Sequence, residues 1–187
     1  MTDDMIRQLA ELVADRFYGK YRGLVTGHEM LPQRGRVKVK VPAVLGETEV
    51  LAEICVPYAG NGTGLMLLPE VGSGAWVEFE GGDPSFPIWV GAFWGDGQLP
   101  DAAGGDSKRI LRTNTATLEI DDNAQSLTAS SDQGGTLALD AAASMTAGIA
   151  SGEVRATGSA ASVTKGQKGV EVNDVMTSVN GGNLDVM

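Results

Sequence analysis

The stretch from Gly134 to Gly166, GGTLALDAAASMTAGIASGEVRATGSAASVTKG, alternates in the manner of a β-strand yet holds almost nothing large enough to bury. Between Gln125 and Gly169 only seven of forty-five residues are Leu, Ile, Val or Met. Burying seven such side chains recovers a small part of the conformational entropy lost in ordering forty-five residues. A lone chain therefore cannot order this segment by side-chain burial. Either it is disordered, or other chains complete its sheets and its core. Disorder conflicts with the period-two placement of Leu118 with Ile120, Leu137 with Leu139 and Val170 with Val172, which a flexible linker lacks. The expected solution is a slender rod shared by several chains. Small side chains suit the little room near a common axis, Gly permits tight corners, and outward Thr and Ser tolerate both water and strand geometry. Intertwined strands from a symmetric homotrimer would leave no long open edge. The trimer core is then expected at Leu118, Ile120, Leu127, Leu137, Leu139, Met145, Ile149, Val154, Val163, Val170 and Val172.

The preceding half has a different character. Every Phe, Tyr and Trp lies at or before Trp94, so the main boundary is expected near Gly95. Residues 2–18 read as a helix: Ile6, Leu9, Leu12, Val13 and Phe17 recur at helical spacing, Thr2 can cap the start, and Gly19 follows the last turn. This helix either docks on a partner or packs on its own domain. Five strands follow, at YRGLVTG (21–27), GRVKVKVP (35–42), VLAEICVPY (50–58), GAWVEFE (74–80) and PIWVGAFW (87–94), with Gly and Pro turns between them. Five strands in roughly 75 residues fit a small closed barrel of OB type, whose interior the three tryptophans can fill. The expected organisation is all-β apart from one short N-terminal helix: helix over 1–19, OB barrel over 20–95, a Gly/Pro/Asp-rich connector over 96–106, and a trimeric β-prism or β-helix needle over 107–187.

Charge and motif content narrow the function. Net charge is −10, with 8 basic and 12 acidic side chains up to residue 95 and 6 and 12 beyond it. Neither half offers a basic surface for nucleic acid. The stripe Arg34, Arg36, Lys38 and Lys40 has no interleaved aromatics for base stacking, so it reads as a solvated or protein-contacting strand face. Cys55 is the sole cysteine and His28 the sole histidine. Cys55, in an apolar strand, reads as a structural thiol, and His28 as an exposed loop residue. GNGTG (60–64) and GSG (72–74) read as strand turns, since no Lys-Ser/Thr follows either. No nucleophile elbow or metal cluster is visible, so no catalytic residue, cofactor or metal ligand is expected. No apolar run reaches membrane-spanning length and no signal-peptide core opens the chain, which implies synthesis in the cytoplasm.

The residues Gly23 with Val25, Gly35-Arg36-Val37-Lys38-Val39, Pro69 with Val71-Gly72, Val77 to Pro84 (VEFEGGDP) and Pro87 to Gly95 closely resemble the spike proteins of contractile phage tails and related injection systems, namely baseplate assembly protein V and the OB region of Vgr-type spikes. The resemblance covers about residues 20–95. It implies a homotrimer on the tube axis, attached to a baseplate hub protein, in a virion tail or injection-system baseplate. The rod would be driven through the target membrane on contraction. Some members carry a lysozyme domain where this chain has only the connector, and others end in a His-x-His metal tip that this chain lacks. The resemblance thus implies a non-enzymatic spike whose end, at Leu184, Val186 and Met187, is capped by a separate PAAR-type tip protein. Two rival readings are a trimeric β-rod tail fibre or adhesin that binds a cell-surface glycan, and an OB-type binding module.

Overall fold

In the computed structural model the described residues are 2–30, 35–100, 105–149, 151–180 and 184–186. They form two compact units, Met1–Gln98 and Leu99–Met187. The first holds helix α1 (Thr2–Ala14), β1 (Tyr21–Glu29), β2 (Arg36–Lys40), a single turn α2 (Pro42–Leu45), β3 (Glu49–Ile54), a miniature hairpin of β4 (Ala59–Gly60) and β5 (Thr63–Gly64), β6 (Gly74–Phe79) and β7 (Pro87–Phe93). Five of these strands close a barrel in the order β1-β2-β3-β7-β6. All its pairings are antiparallel except β3 with β7, where Glu53 and Ile54 run beside Ile88 and Trp89. The nine-residue β1 serves two neighbours: Tyr21–Leu24 pair with β6, and Leu24–Glu29 with β2. A register shift between Val25 and Gly27 supplies the bend this requires.

The alternation of β2 is the barrel's inside–outside code. Val37, Val39 and Val41 point inward and are fully buried, joined by Val25, Ala52, Ala75, Val77, Phe79 and Trp89. On the outer face, Arg36 meets Glu29 at 2.6 Å, Lys38 meets Glu49 at 3.7 Å and Lys40 meets Glu47 at 3.1 Å. The basic stripe is therefore neutralised by acids of the same barrel, while Arg34 lies outside the described residues. Of the three tryptophans only Trp89 fills the interior; Trp76 is half-buried and Trp94 is 65% exposed. Trp76 instead packs at a tilt against Phe93 on the outer face (ring centroids 5.2 Å apart, planes at 53°), and the Arg22 guanidinium lies over both rings. Gly74 makes this possible, because a Cβ there would fall 2.6 Å from the Phe93 ring.

The helix ends sooner than the spacing predicts, at Ala14 rather than residue 18. Phe17 leaves the helical stripe to close one end of the barrel, in an aromatic cluster with Tyr21 and Phe79 at centroid distances of 5.7–6.2 Å. The Phe17 N–H donates to the Gly82 carbonyl (2.8 Å) and Arg16 pairs with Asp83 (3.1 Å), so tertiary contacts outbid another helical turn. Met5, Ile6 and Val13 stay exposed on α1, and the side chains of Leu9 and Leu12 are outside the described residues. Two further expectations change. Cys55 lies just past β3 and is exposed, and His28 sits within β1, with Nε2 2.8 Å from the Pro69 carbonyl.

The second unit is a single antiparallel meander of ten short strands: β8 (Lys108–Arg112), β9 (Ala116–Asp121), β10 (Ser126–Ser131), β11 (Thr136–Leu139), β12 (Met145–Ile149), β13 (Gly152–Ala156), β14 (Ala160–Lys165), β15 (Lys168–Asn173), β16 (Thr177–Val179) and β17 (Leu184–Val186). Each strand pairs only with its sequence neighbours, so the backbone ladder is completed within one chain. This differs from strands intertwined between chains: the sheet needs no other copy for its hydrogen bonds. Along one edge the turns share a device the sequence reading missed. Asp121, Asp140, Thr157 and Asn173, spaced by 19, 17 and 16 residues, each sit at or one residue past the end of a strand and accept two backbone N–H bonds from the turn that follows.

Two outcomes follow from these contacts. Gly82 has φ +77°, and a Cβ would lie 3.1–3.2 Å from Tyr18, Arg16 and Phe17. Gly82→Ala should therefore cost about 1–3 kcal/mol of barrel stability, read as a lower urea midpoint. The turn aspartates make the ribbon acid-sensitive. Donation from the Ala124 N–H, then from Ser107 and Asn123, holds the Asp121 carboxyl below the ordinary 3.8, and the Ser144 hydroxyl and N–H do the same for Asp140. A depressed carboxylate contributes stability that is complete above 3.8 and vanishes as pH falls through its lower folded value. Circular dichroism between pH 6 and 2 should show ribbon loss below about pH 4. An Asp121→Asn/Asp140→Asn chain, which keeps the acceptors without the charge, should show a smaller loss.

Candidate functional site

The register of the ribbon sorts its side chains into two unlike faces. One row runs Ile120, Leu127, Leu139, Met145, Ala156, Ala161 and Val172 across β9 to β15, each opposite the next. A second row, two residues away on the same face, runs Leu111, Leu118, Ala129, Leu137, Ala147, Val154, Val163, Val170 and Val179. Ile149 extends the same face by one more position on β12. All eleven residues expected in the trimer core thus share this face. Leu111 also belongs to it; the surrounding arginines of KRILR hid it from the pattern reading. The opposite face carries Thr128, Thr146, Arg155, Ser162 and Glu171 in one row and Thr117, Ser130, Thr136, Glu153 and Thr164 in another.

The apolar face is open. Apart from the half-buried Leu127, the eleven side chains are between 40% and 72% exposed, whereas the barrel core is at most 8% exposed. Two unbroken apolar rows, one over seven strands and one over nine, exceed what a solitary soluble chain ordinarily leaves in water. The alternation of large and small residues within a row, as in Leu118, Ala129, Leu137, Ala147 and Val154, shapes the face for interdigitation with another of the same kind. Along its two rows the face offers apolar area and no titratable group. Leu184 and Val186 pair with Val179 and Thr177, but their side chains and Met187 lie outside the described residues.

On the barrel, the turn that carries Pro69, Val71 and Gly72 is tied to β1: the Gly72 N–H donates to the Val25 carbonyl (2.9 Å) and the Val25 N–H to the Ser73 carbonyl (3.0 Å). Gly81 and Gly82 take positive φ, and Asp83 receives the Ser85 N–H (3.0 Å) and pairs with Arg16. The Ser85 backbone donation, aided by Arg16, holds the Asp83 carboxyl below its ordinary range. The recurrent Gly, Pro and Asp residues of this half are thus the joints of the barrel.

Residues 21–94 match the family described as the type VI secretion system/phage-baseplate injector OB domain. The barrel belongs to that family. This injector OB domain is a structural baseplate domain, and its match spans the whole closed barrel from β1 to the residue after β7. The match covers 74 of the 187 residues, the barrel and not the ribbon. A search of curated proteins gave no match to the chain. Among the described residues no helix is long and apolar enough to cross a membrane, and no group of three or more His, Cys, Asp or Glu could hold a metal ion.

The two faces respond differently to one carboxylate. Val163 and Ser162 are adjacent in β14 but project to opposite faces. If the apolar face is covered in solution, Val163→Asp should lower the thermal midpoint by many degrees, while Ser162→Asp should leave it within a few degrees of the parent, as differential scanning calorimetry would register.

Proposed function

We propose that this chain is the central spike of a contractile tail or injection-system baseplate. Three copies pack the apolar faces of their ribbons around a common axis to form a β-prism needle over residues 107–187. The injector OB domains, over 20–95, attach the trimer to a baseplate hub protein, and 96–106 connects the two parts. Leu184, Val186 and Met187 meet a PAAR-type tip protein at the far end. On contraction the needle is pushed through the target membrane ahead of the tube. The role is mechanical and not enzymatic.

One observation carries the reading: an open apolar face runs the length of the ribbon in a chain that also holds an injector OB domain. With strands about 4.8 Å apart and about 3.4 Å per residue, ten strands of three to six residues make a ribbon roughly 45 Å long and at most about 20 Å wide. Folding three such ribbons face-inward makes a rod whose core is Leu, Val and Ala and whose surface is Thr, Ser and charge. A cross-linked ladder of backbone hydrogen bonds stiffens the rod in the direction of load. The ion pairs on β2 weigh against the strand-binding alternative, because the stripe's charge is already balanced.

The test is the mass of the purified chain in solution. Light scattering should give about 58 kDa, three times 19.4 kDa, persisting in mild SDS and on warming. A monomer or a face-to-face dimer would overturn the three-fold needle.

A further inference from the structure

The two long edges of the ribbon differ in charge. At the turn joining β14 to β15, Lys165 stands directly opposite Lys168, on the face that carries Val163 and Val170. Like charges opposed across a ladder are unfavourable. Among the described residues the ribbon's ion pairs all involve Lys108 and Arg109, so neither Lys165 nor Lys168 meets a carboxylate. The nearby Glu153 and Glu171 belong to the opposite face. Along the other edge most acids are engaged: Asp121 and Asp122 by Lys108 and Arg109, Asp140 by Ser144. Asp174, in the turn joining β15 to β16, meets no cation among the described residues, and Val175 beside it is 74% exposed.

We propose that the Lys165–Lys168 edge of one copy seats against the Asp174 edge of the next, and that this contact fixes the axial register between copies. The proposal rests on the reading of the ribbon as a needle of several copies. Its physical reason is translational ambiguity. An apolar face built of nearly equivalent rows, about 4.8 Å apart along the axis, packs almost as well after sliding by one strand. Burial alone therefore does not choose a height. A charge contact present at one level does, as polar positions do in coiled coils. The levels agree. The β14–β15 turn and the β15–β16 turn are one strand apart, about 4.8 Å, which a lysine stem spans. Val175 offers those stems an apolar rest. Because the two edges are different surfaces of one chain, the contact is head-to-tail and repeats around a closed ring.

The test uses the full chain in three forms: Lys165→Glu/Lys168→Glu, Asp174→Lys, and all three changes together. At low salt each separate change should lower the thermal midpoint of the assembly by several degrees, and the combined change should recover at least half of that loss. Added salt at 0.5 M should shrink the differences. Losses that simply add would overturn the proposal. A second arm places Lys168→Cys with Asp174→Cys in a Cys55→Ser chain. Full oxidation should then give a covalent trimer on a denaturing gel, and either single cysteine should give none. Linked dimers alone, or no link, would also overturn it. If the parent chain is itself monomeric by mass, the needle reading fails; if the parent assembles but the charge changes add, only the register contact fails.

Discussion

A β-sheet has two debts to settle, one for its backbone polar groups and one for its apolar side chains, and in the ribbon of residues 108–186 they are settled in different places. Consecutive antiparallel strands satisfy the N–H and C=O groups inside a single chain, from β8 to β17. The side chains find no such cover, and one face keeps its leucines and valines in water. Everything proposed for this half follows from that division. The proposed needle rests on the hydrophobic effect: a chain that shapes the sheet without covering it leaves that burial to other copies. The low bulk of its residues keeps the covered interior narrow.

The barrel lives under the opposite regime. Its five strands close on themselves, so both the ladder and the valine core are complete within residues 21–93. What distinguishes it is how its joints are made. The Phe17–Tyr21–Phe79 cluster, the Gly81–Gly82 turn and the Arg16–Asp83 pair hold the segment after α1 against the end of the barrel. The Pro69–Gly72 turn is bonded back to β1. Of these positions, Pro69 with Val71 and Gly72, and Phe79 with Gly81, Gly82 and Asp83, carried the resemblance in the sequence: unusual φ values and side-chain-to-backbone bonds restrict residue choice more tightly than burial does.

That contrast explains what else could be read and what could not. The strands with strict alternation, such as β2 with Val37, Val39 and Val41, revealed themselves because one face is fully dry. The apolar rows of the ribbon were likewise visible, since Leu118 with Ile120 or Leu137 with Leu139 repeat every second residue. Helix length was misjudged because Phe17 fits a helical stripe and a barrel end equally well, and only the Gly82 carbonyl decides between them. Trp76 and Trp94 were assigned to the interior on size alone; the packing of Trp76 with Phe93 and Arg22 outside the barrel depends on the missing side chain of Gly74, which alternation does not report. The turn device at Asp121, Asp140, Thr157 and Asn173 escaped because three different residue types perform one task. Pairing within one chain, in place of intertwining, was invisible for a simpler reason: alternation reports which face a residue takes and says nothing about whose strand lies beside it.

The capped turns have a consequence for how such a ribbon can vary in length. Each recurrence, 16 to 19 residues long, encloses a hairpin that bonds only to the strands before and after it. Adding or deleting one recurrence lengthens or shortens the sheet by two strands, about 10 Å, and leaves its width and both faces as they were. Length is thereby a modular quantity, adjustable in hairpin steps, whereas the cross-section is fixed by the residues within each strand.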